Sequence, residues 1–565
     1  MKRIVLVLAL CALAGGCSRT DSTPPAAEQS AATPPPAPKV DQTAILERIK
    51  ILSSDEYEGR APGTRGEDLT VRYLVEESKK LGLQPGNPDG TYVQKAPLVG
   101  ITGAEAQPLT VTGAGRKQSF KWSDEVVAWT KRVTDTTSIA GSDMIFVGYG
   151  VTAPEYGWDD FKGIDVKGKT IVVLVNDPQV PDAADPSKLD QRIFNGQAMT
   201  YYGRWTYKYE KGAELGAAGV FIVHETQPAG YPFPVVQGFL GERFGLVADD
   251  KNMGRAAIEG WLSLDAAKAV FRMAGQDFDA LKKQAVSRDF KPVPLGLKAS
   301  MGLRNTMRTI DSQNVVARLE GADPRLKEEH VVYSSHWDHL GVGAPVDGDK
   351  IYNGALDNAS GVSTLLEMAR AFSQVQPRPK RSILFLFVTA EEQGLLGSEY
   401  YATHPLYPLE KTAANINMDG VNQWGRTRDV TVIGMGASDL DDVLRAAATT
   451  QGRTLTPDPE SEKGFYYRSD HFNFAKVGVP ALYTDSGVQF VGKDESYSKT
   501  KRDEYTANDY HKPSDEIKPD WDLSGAVEDA QLLFMVGYSV ANADRLPEWK
   551  PGNEFKARRD QMMKK

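Results

Sequence analysis

Cysteine is nearly absent, with two in 565 residues, Cys11 and Cys17. Both lie at the extreme N-terminus, so no intramolecular disulfide can hold the mature body together, and stability must come from packing or bound metal. The apolar run from Ile4 to Leu13 falls short of the roughly 20 residues that cross a bilayer. Basic tracts are lacking and the formal net charge is -9, more negative still once Lys2 and Arg3 are lost, which argues against nucleic acid as a partner. No tandem repeat of solenoid period occurs. Histidine is scarce too, with seven in the chain.

Lys2 and Arg3 precede that short apolar run and small residues follow it, the pattern of an export signal over residues 1–16. It ends in Leu13-Ala14-Gly15-Gly16-Cys17, which resembles the lipobox of bacterial lipoproteins. That resemblance implies a lipidated Cys17 and a body attached to a membrane, expected to be the outer membrane, facing the periplasm or exterior. Residues 17–40 are rich in Pro, Ala, Ser and Thr, too poor in large apolar groups for a core, and read as a tether.

The remaining chain exceeds what one hydrophobic core usually organises. Short continuous apolar runs, such as His330 to Tyr333, Ile383 to Val388 and Val479 to Tyr483, suit strands buried on both faces of a largely parallel sheet. Val362, Leu365, Leu366 and Ala369 follow amphipathic helical spacing. Alternating strands and helices predict an α/β fold, a mixed, largely parallel sheet sandwiched by helices. The texture changes between residues 119 and 295, where Gly-rich loops separate isolated apolar runs. The expected organisation is a split catalytic domain, residues 41–118 and 296–549, around an insert, with a C-terminal tail over 550–565. Lys211-Gly-Ala-Glu-Leu-Gly-Ala-Ala-Gly-Val220, and Gly148-Tyr149-Gly150 leading to Trp158, make the insert resemble a protease-associated domain.

Five segments concentrate carboxylates and histidines after expected strands, where open α/β sheets collect ligands. They are Ser335-His336-Trp337-Asp338, Gly354 to Gly361 with Asp357 inside, Thr389-Ala390-Glu391-Glu392, Asn417-Met418-Asp419, and Tyr510-His511-Lys512-Pro513-Ser514-Asp515. Singly, each has a plain explanation as a helix cap or a solvated loop. Together they offer nitrogen and oxygen donors of the kind zinc takes, and one carboxylate can lend an oxygen to each of two metals. Neighbouring residues leaving a strand point differently, so Glu391 and Glu392 can divide the tasks of base and ligand.

In order and wording these motifs resemble the two-zinc exopeptidase family that includes bacterial leucyl aminopeptidases and glutamate carboxypeptidase. The resemblance covers about Asp41 to Leu546. It implies that His336 and Asp419 bind one zinc, Glu392 and His511 the other, and that Asp357 bridges both, with a cis peptide after it. Glu391 is implied as general base, Asp338 as the group orienting His336, and Tyr510 as a donor to the tetrahedral intermediate. His339 is expected to be structural, and Ser469-Asp470-His471-Phe472 to form cleft wall.

The expected function is therefore an exported zinc exopeptidase acting on peptides, with an aminopeptidase as the first expectation. A carboxypeptidase of the same family stays open, since Arg468 offers a cation for a substrate carboxylate. A non-catalytic binding relative is the third reading, against which the full ligand set stands. Side-chain preference and oligomeric state are not legible.

Overall fold

The computed structural model describes residues 38–564. The expected signal, Cys17 and the tether as far as residue 37 lie outside the described residues. The described residues form one compact unit.

The body begins with helix α1 (Gln42–Leu52), capped by Asp41, whose carboxylate accepts from the backbone N–H groups of Thr43 and Ala44. It buries Ile45, Ile49 and Leu52, spaced to share one face.

Seven strands build the catalytic sheet: β1 (Val293–Leu319), β2 (His330–His336), β3 (Ser382–Val388), β4 (Thr412–Asn417), β5 (Asp429–Ile433), β6 (Thr454–Pro457) and β7 (Ala481–Asp485). Their order is β1-β3-β2-β4-β7-β5-β6. The central neighbours β3, β2, β4 and β7 run parallel, β1 runs against β3, and β5 runs against β7 but parallel to β6. The fold class expected from the apolar runs is thus the observed one. Alternation explains why those runs are continuous. Val331, Tyr333, Ile383, Phe385 and Phe387 face α1, α2 (Gly361–Gln374) and α3 (Ser524–Asn542). Val332, Leu384, Leu386 and Val388 face the opposite layer, with Phe474, Trp549 and Phe555. With helices or loops on both faces, every position must be apolar.

In the insert, strands Thr136–Phe146, Thr170–Leu174, Gly219–Val223 and Ile258–Leu262 pair in parallel in that order. A second core cluster draws on residues from Leu109 to Leu303. β1 links it to the first, pairing with Thr136–Phe146 at its start and with β3 at its end. One strand therefore serves both cores, and composition does not mark where it changes service. Residues 199–210 also meet the layer over the β1–β7 sheet directly. Tyr201 packs on Phe472 with ring centroids 5.0 Å apart, Lys476 pairs with Glu210 at 2.9 Å, and the Met199 N–H donates to the Ser461 carbonyl. Among the described residues no helix is long and apolar enough to cross a membrane.

Candidate metal centre

Strand geometry delivers most of the site. His336 is the last residue of β2, opposite Val388 at the end of β3, and Asn417 closes β4 on the other side. Three adjacent parallel strands thus release His336, Glu391-Glu392 and Asp419 at one edge. After β3 the backbone turns sharply at Ala390, whose φ of 52° lies in the left-handed region that a non-glycine residue rarely adopts.

Asp357 sits at the centre. Its Oδ1 lies 3.3 Å from His336 Nε2 and its Oδ2 3.3 Å from His511 Nε2. His336 Nε2 is also 3.1 Å from Asp419 Oδ1, and His511 Nε2 is 3.1 Å from Glu392 Oε2. The structure thus gathers the five expected ligands into two trios sharing one carboxylate. Two donors bound tetrahedrally at about 2.0–2.1 Å stand about 3.3 Å apart, so these separations fit a metal between the members of each trio.

Charge makes the same point. Burial opposes a proton on His511, yet the carboxylates of Glu392 and Asp357 outweigh it and raise the imidazole to about 11. His336 is raised well above its usual value against a stronger burial effect, by Glu391, Asp419 and Asp357. A cluster that forces protons onto two imidazoles, one of them buried, is an anionic hole suited to cations, and its nitrogen and oxygen donors suit zinc. Burial also pushes Glu391 well above the usual carboxyl range, with Asp419, Glu392 and Asp470 adding to it against His336.

The supporting contacts are dense. The peptide between Asp357 and Asn358 is cis, as the resemblance implied. The Asn358 side chain accepts from Gly361 N–H and Gly420 N–H and donates to Ser335 Oγ and the Met418 carbonyl, using its full hydrogen-bonding capacity. Asp515 holds the same loop, its two oxygens accepting from the N–H groups of Leu356 and Asp357 at 3.0 Å each. Arg60, 1% exposed, donates to the carbonyls of Leu52, Trp337, Asn353 and Gly354, tying the N-terminal segment to the loops that carry His336 and Asp357. Nothing in the spacing of Arg60 or Asp515 announces these duties.

Asp338 is placed differently from the expected pattern. The oxygen nearest His336 Nδ1 is the Asp338 backbone carbonyl at 3.1 Å, with the carboxylate at 3.7 Å. That carboxylate instead accepts from the Glu391 N–H at 3.0 Å and the Glu392 N–H at 3.4 Å, bracing the Glu-Glu turn. Tyr510 stacks on His511, centroids 3.8 Å apart, and is 45% exposed at the cleft mouth. In the Ser-Asp-His-Phe segment, Ser469 Oγ donates to Asp419 Oδ2 at 2.6 Å, while His471 is fully buried against Tyr466 and Tyr483 and pushed down to about 3 by burial.

Residues 314–535 match Peptidase family M28, a stretch that contains all five donor residues together with Glu391. The chain is 28% identical over 448 residues to the probable leucine aminopeptidase 2 of Aspergillus oryzae, covering 78% of this chain and 71% of that protein. It is 28% identical over 246 residues to a probable zinc metalloprotease of Pyrenophora teres f. teres, covering 42% of this chain and half of that one. Among solved structures, an aminopeptidase from Aneurinibacillus sp. strain AM-1 aligns with 90% of this chain and 95% of its own at 19% identity and a TM-score of 0.47.

Proposed function

We propose that this protein is an exported, lipid-anchored zinc exopeptidase that removes residues from the free N-termini of peptides, with two zinc ions per chain. One observation carries the metal count: the two oxygens of Asp357 each lie 3.3 Å from a different histidine. Similarity to proteins named as a leucine aminopeptidase and a zinc metalloprotease supports the reaction class. Export rests on the sequence of residues 1–17 alone.

His336, Asp419 and Asp357 would hold one ion, and His511, Glu392 and Asp357 the other. Bound there, zinc supplies Lewis acidity that polarises a scissile carbonyl and eases the ionisation of water. Glu391 is not needed in either trio, and its raised affinity for protons suits a general base that takes one from the attacking water and returns it to the leaving amine nitrogen. The Tyr510 hydroxyl, beside His511, serves as a donor to the developing oxyanion. The surrounding carboxylates favour a substrate ammonium near the metals. The insert packs against residues 461–476 beside the cleft, which supports a protease-associated role in limiting access to chain ends.

A second reading, cleavage from the carboxyl end, draws on Arg468. Its side chain is exposed beside Ser469, over the Phe465 ring at 5.4 Å, and it forms no ion pair among the described residues. Hydrolysis of one peptide in its free, N-acetylated and C-amidated forms separates the two. Acetylation abolishing cleavage while amidation is tolerated supports the aminopeptidase; the reverse pattern makes the enzyme a carboxypeptidase.

A further inference from the structure

His339 belongs to neither donor trio, yet it is completely buried and its Nδ1 lies 2.6 Å from Glu392 Oε1. It is also close enough to Glu392 and Asp357 to be grouped with them as a third possible metal trio. The distance decides between ligand and hydrogen-bond donor. Ligand atoms around a tetrahedral zinc stand about 3.3 Å apart, as the His511 contacts do, whereas 2.6 Å is the length of a charge-assisted hydrogen bond.

We propose that His339 is a positioning residue for the zinc position formed by Glu392 and His511, an inference that rests on the zinc reading above. Its Nδ1–H holds Glu392 Oε1, so that only Oε2, 3.1 Å from His511 Nε2, remains for the metal. Glu392 would then offer a metal a single oxygen, whereas both oxygens of Asp357 face histidines. The proton belongs on Nδ1 because the buried Nε2 has no hydrogen-bonding partner among the described residues, and an unpaired acceptor there is better tolerated than an unpaired donor.

Two further observations support this. The His339 ring fills a slot that only glycine leaves open, since a Cβ on Gly354 would stand 2.6 Å from ring atoms Cγ and Cδ2. The opposite terminal carboxylate has the same arrangement: Asp419 Oδ2 accepts from Ser469 Oγ at 2.6 Å while Oδ1 faces His336. Each terminal carboxylate thus has one oxygen fixed by a protein donor and one turned toward a histidine.

The test is zinc titration of metal-free protein against a chelating dye, resolving both binding steps, with far-UV circular dichroism as the control for folding. His339→Leu removes the donor and should weaken one of the two steps about 10- to 100-fold while leaving the other in place. His339→Asn puts a carboxamide N–H where Nδ1 stood and should restore most of that loss, which a merely space-filling role would not predict. His339→Ala serves as a second donor-free variant should the leucine not fold. Unchanged binding of both ions by a folded donor-free variant, or an asparagine variant as weak as the leucine, would overturn the proposal. A wild-type protein that takes up no zinc would instead sink the zinc reading itself.

Discussion

The two donor trios share Asp357 but are built differently. On one side His336 ends a central strand with its side chain 1% exposed, and Asp419 follows the neighbouring parallel strand. On the other side His511 is 36% exposed and sits in a loop with φ of 57°, held by the stacked ring of Tyr510. The first position is therefore a product of the sheet, fixed once the strands pair. The second depends on a loop that must itself be held, which is why Asp515, four residues past His511, also grips the Asp357 backbone.

Asp357→Ala would remove the comparison altogether. Both trios lose an oxygen, so metal analysis should find both ions gone and hydrolysis at background; a variant retaining two ions would show that the carboxylate is no bridge. Glu391→Gln should touch neither trio. Turnover is expected to fall at least about 10²-fold with the zinc content unchanged, because proton transfer is lost while no ligand is. Near-normal activity in a preparation free of wild-type enzyme would remove Glu391 as the base. The smallest effect is the most direct measure of the asymmetry. On graded chelation the His511 position should empty first, with a difference of about tenfold in affinity, or ~1.4 kcal/mol. His511→Ala should still bind one ion through His336, and simultaneous loss of both ions in that variant would mean that the two positions are not separable.

The sequence announces the strand-borne half of this site better than the loop-borne half. His336, Glu391 and Glu392 are legible because apolar runs end shortly before them and parallel strands bring such ends together, whereas Asp419 follows Thr412–Asn417, whose two asparagines and threonine hide the strand. The segments around Asp357 and His511 stand out by their carboxylates and histidines, while the ligand roles of all five residues come from the family resemblance. The bond from His339 to Glu392 spans 53 positions, and only folding shows that the second histidine of His-Trp-Asp-His turns toward that carboxylate. Asp338 shows the opposite problem, since its motif position suggests a contact with the His336 ring while its oxygens serve two backbone N–H groups of the Glu-Glu turn. β1 contributes to both cores, alternating over its first half and turning continuously buried over Asn314–Ala317.

Arg60 gives the scarcity of cysteine a practical meaning. A single buried guanidinium reaches four carbonyls, one in the N-terminal helix and three in the loops under the metal centre. Its topological effect is that of a cross-link between residues nearly three hundred positions apart, as with Trp337 and Gly354. Unlike a disulfide it needs no oxidant to form and no reductant can open it, so the architecture around the candidate donor residues is indifferent to the redox state of whatever compartment the protein occupies.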